Sequence, residues 1–166
     1  IGTATNQAGS YRIPSGSKIV TCVQGPQQGL IWTDLDLWAM QYVGAPLVYG
    51  FNKIGSNCGA ISRHSVGQLM NAVYWMSQKN FFVNRGNGPE TIPCPVWDNV
   101  FQNLKDGNDA NNNPYTNKVQ CAVNSQFNEI MWFYPSASST GENDSYVKYQ
   151  VNLNQWDYGS LDRTAW

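Results

Sequence analysis

Val73-Tyr74-Trp75-Met76-Ser77-Gln78-Lys79-Asn80-Phe81-Phe82-Val83 decides the fold class. Four apolar residues, four polar ones and three apolar ones cannot place a single stripe at helical spacing, yet they suit two short strands joined by a tight turn. The same grammar occurs on either side. Leu30-Ile31-Trp32-Thr33 passes through Asp34-Leu35-Asp36 into Leu37-Trp38-Ala39-Met40, and Ile130-Met131-Trp132-Phe133-Tyr134 passes through a longer polar loop into Tyr146-Val147-Lys148-Tyr149. Trp32 and Trp75 stand 43 residues apart and Trp75 and Trp132 stand 57 apart.

Spread over the whole chain, short apolar bursts separated by Gly, Pro, Asn and Asp predict ten strands. They lie at 18–23, 29–33, 37–42, 47–54, 72–76, 81–84, 119–124, 129–134, 146–151 and 155–159. One segment breaks the pattern. Pro95 to Leu104 places Val96 or Trp97, Val100, Phe101 and Leu104 at helical spacing, with Pro95 suited to a first turn and Gly107 to a stop. A helix of about ten residues is expected there, an insertion at about 95–105, with Val100, Phe101 and Leu104 packed against a sheet edge or a neighbouring subunit because so short a helix is marginal alone. The loop 108–113 follows, closed by Pro114.

A four-stranded propeller blade takes roughly 40–50 residues, so the first Trp interval fits one blade and the second fits one blade plus the inserted helix. The rival explanation is that Trp favours strands and three hairpins look alike by accident, but strand, turn and aromatic return strand recur together. The expectation is an all-β fold of antiparallel β-propeller blades, three to four of them spanning residues 1–166 as part of one domain, with Trp32, Trp75 and Trp132 at equivalent positions. The chain begins at Ile1 and stops just after a strand, as an excerpt of a longer protein would.

Composition narrows the function classes. Ten Lys plus Arg against eleven Asp plus Glu give a formal charge of −1, and Arg12, Lys18, Lys53, Arg63, Lys79, Arg85 and Lys105 are spread out, which leaves no cationic footprint for strong nucleic-acid binding. No apolar stretch approaches the roughly 20 residues that span a bilayer, so no membrane partner is expected. Seven Trp and nine Tyr beside only 13% charged residues suit sheets whose faces meet other protein surfaces.

Candidate chemistry is sparse. Asp34 and Asp36 sit in a hairpin turn and Glu142 and Asp144 in a loop, where turn geometry already accounts for them. His64 has Ser62, Arg63 and Ser65 beside it but no nucleophile motif. Cys22, Cys58, Cys94 and Cys121 lack metal-ligand or redox spacing and are expected as reduced, mostly buried thiols of a protein folding in a reducing cytoplasm. The run from Asp106 to Asn111 imitates a calcium loop but has Ala110 at a ligand position and no closing Glu. Asn143-Asp144-Ser145 is a sequon by letter only. No catalytic, cofactor or metal residue is therefore nominated, and no enzyme is expected.

IWTD at 31–34, QYVG at 41–44, YWM at 74–76 followed by FFV at 81–83, NEIMWFYPS at 128–136 and ENDSYVKY at 142–149, found in this order, resemble a segment of tailed-phage virion proteins from Gly29 to Trp166. Such proteins are similar to the tail nozzle and packaged-DNA stabilisation proteins of short-tailed phages. The resemblance implies a β-propeller joined to other domains, assembled in the host cytoplasm into the virion tail. Its implied partners are further copies of itself in a ring, neighbouring tail or portal proteins, and weak contact with packaged DNA. The longer loop 108–113, and Asn84-Arg85-Gly86-Asn87-Gly88 where a tighter Asp-Gly turn is typical, depart from that pattern. A receptor- or carbohydrate-binding propeller of a tail fibre is the alternative, which exposed Trp and Tyr platforms would support; a propeller glycosidase is the third and weakest reading.

Overall fold

The computed structural model describes residues 9–25 and 27–162. Among them, strands β1 (Ile19–Gln24), β2 (Gly29–Thr33), β3 (Leu37–Tyr42) and β4 (Tyr49–Gly55) form one antiparallel sheet in chain order. A second sheet follows with β5 (Val66–Leu69), β6 (Ala72–Met76), β7 (Phe81–Asn84) and β8 (Pro89–Ile92). The third contains β9 (Gln120–Asn124), β10 (Glu129–Tyr134), β11 (Ser145–Gln150) and β12 (Gln155–Ser160). The all-β expectation holds, with each sheet a four-stranded meander. Two strands were not expected from sequence, β5 and β8, and they complete the middle sheet.

Alternation of side chains across β6 explains how the sheets stack. Val73 and Trp75 pack with Leu30, Trp32 and Leu37 of the first sheet, while Ala72, Tyr74 and Met76 pack with Ile130, Trp132 and Tyr134 of the third. The middle sheet is covered on both faces, so β6 is buried at all five positions, and its sequence is a continuous apolar run. At the junction of the second and third sheets, His64 and Gln120 form a parallel bridge and the Cys121 amide donates to the His64 carbonyl at 2.8 Å. Gly67 permits that approach, since a Cβ there would lie 2.6 Å from Cys121 Sγ and 2.8 Å from Val123 Cγ2.

The three tryptophans are fully buried, but only two face the same way. Trp75 pairs with Val66 and Trp132 with Cys121, and each ring points back at the preceding sheet, Trp75 onto Trp32 at 5.3 Å and Trp132 onto Phe81 at 4.8 Å. Trp32 forms the last pair before its turn, with Leu37, which is the place that Met76 holds opposite Phe81. The two turns match as well, Thr33 N donating to Asp36 O and Ser77 N to Asn80 O. Trp32 is thus one residue out of step, and because side chains alternate with period two it faces the following sheet instead. This corrects the expected equivalence of all three.

The inserted helix is shorter than the sequence pattern suggests: α1 covers Trp97–Phe101. Leu104 leaves the helix to bridge Ser136, and the Lys105 amide donates to Pro135 O at 3.0 Å, which draws the chain out after little more than one turn. Its stripe still packs as expected. Val100 is fully buried, Phe101 and Leu104 pack on the same cluster, and the Phe101 ring lies 5.1 Å from Phe81. This linker accounts for the longer second Trp interval.

The β5–β6 turn carries a testable strain. Met70 and Asn71 both have positive φ, 52° and 61°, the two-residue hairpin geometry that favours Asn and Gly. Met70 is 59% exposed, so its side chain adds little packing to offset the left-handed backbone. Met70→Asn is expected to raise stability by about 1 kcal/mol, read as a higher denaturant midpoint at unchanged slope.

Candidate functional site

The carboxylates singled out from sequence are tied into loops. Asp34 accepts from Ser17 N at 2.8 Å and Ser17 Oγ at 2.5 Å, which fixes residues before β1 onto the β2–β3 turn. Asp36 accepts from Asn57 N at 3.2 Å and faces Lys53 Nζ at 3.7 Å. Glu142 pairs with Lys118. Asp144 accepts from Ser136 N and Ser136 Oγ, both at 2.7 Å, and closes the long loop between β10 and β11. His64 is exposed, and its carbonyl carries the bridge described above.

Asp109 accepts from the amides of Asn111 and Asn113, at 2.8 and 2.9 Å, which makes 109–113 a self-closed turn. Asn143 of the sequon is only 6% exposed and donates through Nδ2 to Lys118 O at 2.7 Å, so its amide is held inward where a glycan would have no room. All four cysteines are free, but only Cys58 is buried; Cys94 and Cys121 are half-buried and Cys22 is exposed, contrary to the expectation of mostly buried thiols. Burial pushes the Cys58 and Cys94 thiols up to about 11 and Cys121 to about 12, away from thiolate chemistry.

Asp144 gives a pH prediction. Partial burial works to raise its pKa, but the hydrogen bonds from Ser136 and Ser145 outweigh it and the net shift is downward. Asp34 is lowered too, first by the Ser17 hydroxyl. A carboxylate whose folded pKa is depressed stabilises the fold above its unfolded value of about 3.9 and loses that contribution as pH falls through the folded pKa. Melting temperature should therefore fall as pH drops below about 4, and Asp144→Asn should flatten that acid limb while lowering the plateau at neutral pH.

A cleft lined by several polar side chains carries no signal of its own in the sequence pattern. Between the first two sheets, the β1–β2, β5–β6 and β7–β8 turns enclose a cleft of about 410 Å³. Leu30 and Val73 are its apolar lining, and Gln27, Gln28, Asn71 and Asn84 line it as well. Asn84 is 4% exposed, and its Oδ1 accepts from Gly86 N at 2.8 Å and Gly88 N at 3.3 Å. Arg85 at the rim donates through Nη1 to Glu90 at 2.9 Å. The only sequence signal was the run from Asn84 to Gly88, whose positive-φ glycines, 109° at Gly86 and 104° at Gly88, wrap the backbone around the Asn84 carboxamide.

A second surface feature is the β3–β4 hairpin. Tyr42, Val43, Leu47 and Tyr49 are all more than half exposed, and the Tyr42 and Tyr49 rings meet edge-on at 6.0 Å. By contrast Trp32, Trp38, Trp75 and Trp132 are buried, while Trp97 and Trp156 are half-buried. Among the described residues no group of His, Cys, Asp and Glu is placed to hold a metal ion, and no helix is long and apolar enough to cross a membrane. Comparison with family models finds no match to the chain, and comparison with curated proteins finds none either.

Proposed function

We propose that the chain is a scaffold of a tailed-phage virion, a run of β-propeller blades from a nozzle- or adaptor-like tail assembly that retains packaged DNA and conducts it at ejection. The observation that carries the propeller reading is the succession of three four-stranded antiparallel meanders, stacked face to face in chain order. The parallel bridge between His64, two residues before β5, and Gln120 at the start of β9 adds to it, because it sets the first strands of two successive four-stranded units next to each other, as radially repeated blades require. Occupation of Asp34, Asp36, Glu142 and Asp144 by loop-fixing bonds supports packing over catalysis. The placement in a phage tail rests on the sequence motifs alone. Its partners would be further copies in a ring and adjoining tail or portal proteins, with any DNA contact weak.

Electron microscopy of particles carrying the parent protein, with this chain located by antibody label, tests the reading. Density on the tail axis next to the portal is expected. Absence from the particle would end the proposal. A position at a fibre tip would favour the receptor- or carbohydrate-binding alternative, for which the exposed Tyr42, Leu47 and Tyr49 hairpin speaks.

A further inference from the structure

We infer that the cleft between the first two sheets is a binding site for a neutral, hydroxyl-rich ligand of monosaccharide size. This stands on the cleft itself and not on the placement of the chain in a tail. Its volume of about 410 Å³ falls in the range of small-ligand sites, and its apolar lining of Leu30 and Val73 suits the C–H face of a sugar ring. Carboxamides both donate and accept, as sugar hydroxyls do, and Gln27, Gln28, Asn71 and Asn84 all lie in the lining with no carboxylate among them, Gln28 Oε1 already accepting from Gln41 Nε2 at 2.7 Å. Arg85 at the rim is paired with Glu90 at 2.9 Å, which draws its guanidinium toward that carboxylate.

Asn84 is the decisive group. Two backbone N–H donors hold its oxygen, which fixes which way the amide points, and directs Nδ2 away from those bonds. Among the described residues Nδ2 has no hydrogen-bond partner, and it is not sealed from solvent although the residue is 4% exposed. A buried, pre-oriented donor left open to a cleft is what a ligand hydroxyl oxygen needs, since its orientation is already paid for before binding.

The test titrates the isotope-labelled chain with neutral hexoses (glucose, galactose and mannose) and, in a second arm, with glucuronate, following side-chain amide and Gly86 and Gly88 backbone resonances. At least one neutral hexose should shift the Asn84 carboxamide saturably. Asn84→Asp retains an oxygen for the Gly86 and Gly88 amides and removes the donor, and should weaken that hexose by roughly threefold to tenfold. Asn71→Gly keeps the positive-φ turn, removes a second carboxamide and should also weaken it, which keeps the test decisive if the first variant misfolds. No shift with any neutral hexose, shifts with glucuronate alone, or folded variants that titrate like the parent chain would overturn the assignment.

Discussion

Trp75→Ala should cost about 3–5 kcal/mol of folding stability, a large share of the roughly 5–15 kcal/mol a domain has in total. The ring is fully buried between two sheets, edge-on to Trp32 at 5.3 Å and stacked on Phe82 at 5.5 Å, so its removal leaves a cavity that strands on both sides cannot close. Its Nε1 also donates to Cys58 O at 2.7 Å, which ties the linker between the first two sheets to the middle one. Trp75→Phe separates the two contributions: it keeps most of the packing and should cost about 1–2 kcal/mol through the unpaired Cys58 carbonyl. Equilibrium denaturation of both variants, with exposed Tyr42→Ala as a control near zero, reads the difference. A loss below about 1 kcal/mol for Trp75→Ala would mean that the junction does not depend on this ring.

Hairpins such as 72–84 were legible because both signals, alternating burial and a polar turn, lie within a dozen adjacent residues. β5 and β8 were not. Val66-Gly67-Gln68-Leu69 contains a glycine whose reason lies in Cys121 and Val123 more than fifty residues away, and β8 opens on Pro89, tolerable there because it begins an edge strand. Trp32 shows the limit of repeat matching: the tryptophan letters align, but the turn bonds fix the register one residue away, and that single step exchanges the faces. Unlike its two counterparts, Trp32 leaves its Nε1 buried without a hydrogen-bond partner. The cleft was invisible for a related reason. Its carboxamides come from two turns and the end of β7, and each of them alone is an ordinary polar residue at a strand end or turn.

Gly59→Ala should destabilise by about 2–5 kcal/mol, by combining overpacking with lost hydrogen bonds. A Cβ at this position would stand 2.4 Å from both the carbonyl carbon and oxygen of Asp34 and 2.6 Å from Thr33 O, all of them backbone atoms that no rotamer change can move. Relief requires the linker to lift off the β2–β3 turn. That movement breaks the bonds from Cys58 N and Gly59 N to Leu35 O, at 2.9 and 3.0 Å, and displaces the Cys58 carbonyl that receives the Trp75 indole. Gly9→Ala, with nothing within 4 Å of its Cβ, is the matched control and should be close to neutral. Because Gly59→Ala and Trp75→Phe both act through Cys58, their costs should sum to more than the double variant loses. Thermal melts of the four proteins in that cycle measure the coupling, and strict additivity would show that the linker clamp and the tryptophan act independently, contrary to the geometry.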